Sequence, residues 1–268
     1  MTRMHRGGAV LAAAVTLVVL TACQSLGGGG GSEAAPPEPA AMRGAAEAVK
    51  QARTLGVTFK TKQIDGTVFG GTITGQAQVV AGGGMAVAWS HRTNSGPDET
   101  KTIDGRLIAV DGAAYLTSSR WKLPPGKKWF SIPPGWRAKL DQPIAPEWFV
   151  LVMSRLLDPL FLLGQGLPEA TGLTTTPAPG EPEGTTGYTV DWNFSQDTAG
   201  PEMTAWAKQV GEALVLDVSV YLDGSGRPVR LEAESSTQLM LFDAEVSVES
   251  YGTPAEVAPP DPAQVKKL

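Results

Sequence analysis

The chain has 268 residues, 18% of them charged, and a formal net charge of −5. This acidic balance argues against nucleic acid as a partner, because nucleic-acid-binding surfaces are basic, and against electrostatic docking on anionic lipid headgroups. With a single cysteine and two histidines, the chain has neither the paired thiols that a disulfide needs nor a Cys/His cluster for zinc.

The first 22 residues have the parts of an export signal. Arg3 and Arg6 form a basic start, and an apolar run at residues 9–20 leads to small residues before a cut site. That run is shorter than the roughly 20 residues that span a bilayer. The following Leu-Thr-Ala-Cys, ending at Cys23, resembles a bacterial lipobox. The resemblance implies transfer of a diacylglyceryl group to the Cys23 thiol and cleavage before it. The alternative is an ordinary secretory signal followed by a chance cysteine.

The mature chain then divides into a tether and one folded domain. Without residues 1–22, 20 basic residues face 27 acidic ones and the net charge is −7. Residues 23–40 are rich in glycine and proline, a composition typical of a flexible tether. No break in composition divides residues 41–268, so we expect a single domain there.

The domain begins with a predicted helix and continues mainly as strands. Apolar residues at helical spacing predict a helix over residues 40–53. Turn residues, among them Asp65-Gly66, Gly82-Gly83-Gly84, Asn94 to Pro97, Asp111-Gly112 and Asp223 to Gly226, separate β-rich runs that are joined as hairpins. The predicted strands cover residues 57–63, 67–80, 85–92, 100–110, 113–117, 128–132, 188–194, 214–222, 228–238 and 239–250.

The strand at residues 214–222 has the clearest pattern. Its apolar residues alternate with Asp217 and Ser219, and successive side chains of a strand point to opposite faces. We therefore expect Asp217 and Ser219 to be solvated and the other face to be buried and concave. The residues of that buried face are Leu214, Leu216, Val218, Val220 and Leu222.

Two further helices interrupt the strands. Residues 146–163 are the most apolar stretch of the mature chain. Pro146 suits a first helical turn, Gly164 suits the end, and Pro159 predicts a kink or break. Because apolar residues occupy nearly every side, this helix is either deeply buried or lines an apolar space. A second helix is predicted over residues 201–213, while residues 121–143 and 171–187 are predicted loops and residues 254–262 a proline-rich tail.

These elements predict an α+β fold. Short turns between strands require antiparallel pairing, and a twisted sheet of about ten strands curls strongly or closes. The expected architecture is one large, strongly curved antiparallel sheet, a half-barrel, wrapped around a few helices.

Catalytic chemistry is not indicated. His91 is the only histidine left after removal of the signal and cannot alone form a triad or a metal site, so we expect it on a strand face. Carboxylates lie near strand ends, as at Asp98, Glu99, Asp104, Asp111, Asp217, Asp223, Glu232 and Glu234. A glycosidase needs two carboxyls at a set separation, but alternating polar residues are more typical of a solvated face. We predict no enzyme activity, no cofactor and no metal.

Several segments resemble the LppX/LprG-type lipoproteins of actinobacteria and, more distantly, the lipoprotein carrier LolA. The best match is the strand–turn–strand VSVYLDGSGRPVR at residues 218–230. The others are the helix before VTFKT (57–61), the strand pair GRLIAVDGAAYL (105–116), WFSI (129–132) and the C-terminal YGTPAEV (251–257). The resemblance implies a half-barrel sheet with an apolar cavity for acyl chains, and a role in carrying a lipid or glycolipid within the cell envelope.

The predicted site therefore has two parts. Cys23 carries the anchor that holds the protein on the outer face of the cell membrane. The cavity is lined by apolar residues of the 146–163 helix, namely Phe149, Met153, Leu156, Leu157, Leu160 and Phe161. A solid core covering that helix is the alternative to a cavity. The alternative function is a structural or sensing envelope lipoprotein of the same fold, which binds a protein partner through the aromatic loop at residues 121–136.

Overall fold

The computed structural model describes residues 38–63, 71–81, 84–96, 99–132, 172–193, 215–237 and 240–267, with positions 147, 150, 151, 154, 158, 162 and 163. The predicted signal with Cys23, the predicted helix at residues 201–213 and Leu214 lie outside these ranges.

The helix predicted near the start of the domain is confirmed and is longer than expected. Helix α1 spans Glu38–Ala52, so it begins within the stretch predicted as the end of the tether. Its apolar stripe is buried, whereas Arg43, Glu47 and Lys50 on the opposite side are exposed. The helix ends where Arg53 takes a left-handed conformation, with φ of 64°, a common way to stop a helix. The buried stripe comprises Ala41, Met42, Ala45, Ala46 and Val49.

Twelve strands form one sheet in the described part of the chain. They are β1 (Thr54–Gln63), β2 (Gly71–Val80), β3 (Gly84–Gly96), β4 (Glu99–Val110), β5 (Ala113–Ser118), β6 (Trp129–Ile132), β7 (Thr174–Thr176), β8 (Thr186–Asn193), β9 (Val215–Leu222), β10 (Pro228–Thr237), β11 (Met240–Tyr251) and β12 (Val265–Lys267). Their order in space is β12-β6-β5-β4-β3-β2-β1-β11-β10-β9-β8-β7.

The single antiparallel sheet is confirmed with one exception. β12 pairs with β6 in parallel, because the chain leaves β11 in the middle of the sheet and reaches the edge through residues 252–264. β12 lies beyond the predicted tail, and β7 lies in a stretch predicted as loop. The described part is thus mostly β, with α1 as its one complete α-helix.

Two predicted turns are confirmed and one is wrong. Asp111 and Gly112 join β4 to β5 with φ of 52° and 73°, as a type I′ hairpin turn requires. At the turn after β9, Asp223 Oδ1 accepts hydrogen bonds from the backbone N–H groups of Ser225 (2.8 Å) and Arg227 (2.9 Å). Asn94, by contrast, was predicted in a turn but belongs to β3, which extends past it and pairs there with β4.

One face of the sheet, the inner face, packs on α1 and forms the core, and the other is the outer face. On β9 the predicted burial is confirmed: Leu216, Val218 and Val220 are 0% exposed, while Asp217 is exposed and Ser219 is partly exposed. Tyr221 lies on the outer face, on the side of β9 that was expected to be solvated. It is nevertheless only 6% exposed.

Tyr221 is buried by its neighbours on the outer face. The Arg230 guanidinium carbon lies 4.3 Å from its ring centroid, and its hydroxyl donates to Glu232 Oε2 at 2.8 Å. Arg230 also pairs with Glu181 at 2.8 Å, which holds the loop between β7 and β8 against this strand pair.

Candidate functional site

The six predicted cavity-lining residues lie outside the described part of the chain. They are Phe149, Met153, Leu156, Leu157, Leu160 and Phe161. Their described neighbours Val150, Leu162 and Leu163 are buried in the main core. Ser154 N–H donates to Val150 O at 2.9 Å and Leu162 N–H to Asp158 O at 3.2 Å, and both bonds have the four-residue spacing of an α-helix.

Glu147 attaches the start of this segment to the sheet. It is 2% exposed, and its Oε1 lies 2.8 Å from Nε of Arg120, just after β5. The Arg120 side chain is exposed, but the Glu147 carboxylate is buried. Loss of Arg120 would leave that carboxylate without a nearby cation, so this contact restricts where Glu147 can lie. The sequence pattern did not identify the pair, because residues 27 positions apart carry no helical or strand periodicity.

The inner face is apolar across ten neighbouring strands, from β6 to β8. Each strand contributes at least one buried apolar side chain, and directly opposed residues form continuous rows across the sheet. One such row is Val57, Ala77, Val87, Leu107 and Leu116.

A second row on this face alternates aromatic rings with glycines. Phe59 opposes Gly75, Gly75 opposes Trp89, and Trp89 opposes Gly105. A Cβ at Gly105 would lie 2.2 Å from Trp89 Cζ2, and one at Gly75 would lie 2.5 Å from Phe59 Cζ. The rings therefore lie on the glycines, and only glycine leaves space for them.

Two polar atoms on the inner face lack hydrogen-bond partners in the described part of the chain. They are Nε1 of Trp89, which is 3% exposed, and Oγ of Ser235, which is 0% exposed. An unpaired buried donor costs about 1–3 kcal/mol.

The outer face carries a groove of about 460 Å³ over β1 to β4. Ala86 and Ala88 of β3 form its floor, Gln76 and Gln78 lie on one side, and the groove reaches Trp129 of β6. Its volume falls within the roughly 300–1,000 Å³ of small-ligand sites. The sequence analysis missed this site, because its residues come from six strands.

Carboxylates also meet on the outer face. Asp191, Asp217 and Glu234 oppose one another across β8, β9 and β10. Asp217 is exposed, but its carboxyl is partly desolvated. This desolvation, followed by the charge and hydrogen bond of Asp191 and the charge of Glu234, raises the pKa of the Asp217 carboxyl. The described residues contain no group of three or more side chains arranged to hold a metal ion.

Asp217→Asn is expected to stabilise the protein near neutral pH. Because the folded-state pKa of Asp217 is raised, its contribution to stability is fully present below the unfolded-state pKa and is lost as pH rises through the folded-state pKa. Removing one member of a like-charge cross-strand pair should gain about 0.2–1 kcal/mol. Thermal unfolding from about pH 3 to pH 7 should show the gain only at the upper end. Asp104→Asn, on an exposed carboxyl that faces Ser90, should show none; an equal gain in both variants would contradict the prediction.

The other residues considered for catalysis in the sequence do not form a cluster. His91 is buried on β3 with its side chain on the inner face, as predicted for a strand residue. Asp104, Asp111 and Asp223 belong to different strands or turns of the sheet. No helix among the described residues is long and apolar enough to cross a bilayer.

Comparison with known proteins finds similarity in structure only. No family model and no curated protein matches the chain. Among solved structures, it is similar to the Mycobacterium tuberculosis lipoprotein LppX, with 18% identity and a TM-score of 0.42 over 82% of this chain and 97% of that one. It is also similar to a LolA superfamily protein from Nitrosomonas europaea, with 9% identity and a TM-score of 0.34 over 83% and 96%.

Proposed function

We propose that the protein is an exported lipoprotein, anchored to the outer face of the cell membrane through Cys23. On this proposal it binds the acyl chains of a lipid or glycolipid against the inner face of its sheet, and carries that lipid within the cell envelope. The sheet is curved into a half-barrel around the helices, and Phe149, Met153, Leu156, Leu157, Leu160 and Phe161 line the cavity. The protein has no enzymatic role.

The observation that carries this proposal is the breadth of the apolar inner face. At about 4.8 Å per strand, ten strands extend about 43 Å. Helix α1, with 15 residues, is about 22 Å long and about 10 Å across. It covers only part of that face, and the buried Val150, Leu162 and Leu163 indicate that the segment around residues 150–163 covers another part. Each acyl methylene placed between them would gain about 0.8 kcal/mol.

The unpaired polar atoms support the same proposal. A hydrocarbon core offers no acceptor to the Trp89 indole N–H, whereas the ester carbonyl of an acyl lipid is one. The Ser235 hydroxyl can both donate and accept. An acyl ester bound on this face would therefore satisfy groups that otherwise destabilise the fold.

The alternative of a protein-binding aromatic loop has less support. Trp121 and Phe130 pack edge to face, with ring centroids 5.1 Å apart, and both contact the core. In this arrangement the two rings contribute to the fold.

Native mass spectrometry of the protein purified from its own membrane tests the proposal directly. We expect a lipid mass to accompany the chain, and the purified protein to take up a fluorescent acyl lipid. Leu156→Trp should lower that uptake while leaving the melting temperature nearly unchanged, because the indole fills space that the lipid needs. In a solid core the same change would cost about 1–3 kcal/mol.

Thr74→Trp is the matched control, since it places the same ring at an exposed position on the outer face. It should leave lipid uptake unchanged. A protein that carries no lipid, takes up none and loses stability on Leu156→Trp would refute the carrier function.

A further inference from the structure

The outer-face groove is a second potential binding site, separate from the inner face. Two rows of directly opposed residues border it. One row is Thr58, Gln76, Ala88 and Arg106, and the other is Gly56, Gln78, Ala86 and Ile108. Each row crosses three strand spacings, or about 14 Å. Because the floor residues Ala86 and Ala88 carry only methyl side chains, a rigid ligand can approach the backbone closely.

Defined polar and aromatic groups lie at the two ends of the groove. At one end Thr58 Oγ1 donates to Glu249 Oε1 at 2.7 Å, which holds one oxygen of this carboxylate in place. At the other end Trp129, partly exposed on β6, lines the groove together with Arg106. The two ends therefore differ: one is a hydrogen-bond acceptor, and the other combines a cation with an aromatic ring.

Most ligand classes fit these groups poorly. An acyl chain would desolvate the exposed side chains of Gln76, Gln78 and Arg106 without hydrogen-bonding them. Nucleic acid requires several cations, but among the described residues that line the groove Arg106 is the only cation, and the lining also contains the anionic Glu249. A peptide that adds to a sheet needs a free strand edge, and β1 to β4 are all interior strands.

A saccharide fits the polar and aromatic groups that line the groove. Its hydroxyl groups both donate and accept, which matches the glutamine amides, the guanidinium and the carboxylate. The C–H face of a pyranose ring is flat and apolar and can pack on an indole. We propose that this groove binds a short oligosaccharide, with one sugar ring on Trp129 and hydroxyl groups bonded to Gln76, Gln78, Arg106 and Glu249. This site is independent of the proposed lipid cavity.

Isothermal titration calorimetry of the detergent-solubilised full-length protein tests the assignment. The probes are trisaccharides of glucose, of N-acetylglucosamine and of galacturonic acid. We expect at least one to bind with one-to-one stoichiometry, and Trp129→Ala to weaken its binding roughly tenfold. Preference for the uronic acid would place its carboxylate at Arg106. Lys122→Ala, at an exposed position outside the groove, should leave the affinity unchanged.

Gln78→Ala and Arg106→Met serve as second variants, because both residues are exposed and their replacement does not disturb the core. Each should weaken binding severalfold while the melting temperature stays within a degree or so of the parent. The assignment is overturned if none of the trisaccharides binds, if binding survives in all three groove variants, or if these variants instead lose uptake of a fluorescent acyl lipid.

Discussion

Replacing Cys23 by alanine is expected to release the protein from the membrane fraction to the medium or to leave it unprocessed. On the proposed function, a diacylglyceryl group on the Cys23 thiol is the anchor. Two acyl chains hold a protein stably, whereas one gives only marginal binding. The mature chain has a net charge of −7 and so offers no electrostatic attachment to anionic lipids in place of the anchor.

Fractionation of cells that produce each variant measures this effect, with detergent extraction to distinguish anchoring from aggregation. Ser25→Ala, two residues into the tether, is the matched control and should remain in the detergent-soluble membrane fraction. Mass spectrometry of the mature N-terminal peptide should show the lipid on the parent and on the control. A Cys23→Ala protein that is still cleaved and still found in the detergent-soluble membrane fraction would rule out the lipid anchor.

Gly105→Ala is expected to destabilise the folded domain strongly, although it adds a single methyl group. The new Cβ would lie 2.2 Å from Trp89 Cζ2 and 2.6 Å from the backbone oxygen of Thr117. Neither can move away easily: Trp89 is 3% exposed, and the Thr117 oxygen belongs to β5. Overpacking of a core typically costs about 1–3 kcal/mol, and we expect the upper end. That corresponds to a fall in melting temperature of roughly 5–10 °C.

Two further variants separate steric overlap from other effects of losing a glycine. Gly44 in α1 has no heavy atom within 4 Å of a built Cβ, and Gly44→Ala should stabilise the protein by about 0.5–1 kcal/mol. Combining Gly105→Ala with Trp89→Leu should cost less than the sum of the two single changes, because the ring that causes the overlap is gone. A Gly105→Ala protein as stable as its parent would show that the row of rings on glycines is packed differently.

Local sequence patterns were sufficient to predict much of the fold. The alternation along β9 identified the buried face, because the side-chain period of a strand is two whatever its neighbours are. Turns such as Asp111-Gly112 identified hairpins, since few residues tolerate positive φ. The apolar stripe of α1 identified the helix by the same kind of local periodicity.

The two parts of the predicted site differ in how far the sequence alone can identify them. Cys23 follows from a linear motif, so it needs no tertiary structure. The six cavity-lining residues were chosen because their helix is apolar on nearly every side, and periodicity cannot say which side faces a ligand and which faces the sheet. Their assignment therefore remains a prediction.

Long-range contacts determined the features of the fold that local sequence patterns did not predict. β12 has three residues and no strand pattern of its own, and it forms because the C-terminal segment reaches the free edge of β6. Tyr221 has the position of a solvated residue, yet the stacked Arg230 buries it. The groove near Trp129 brings together side chains from six strands. Such features depend on which strands become neighbours and in what register, and that is set by the free energy of the whole packed sheet rather than by any local stretch of chain.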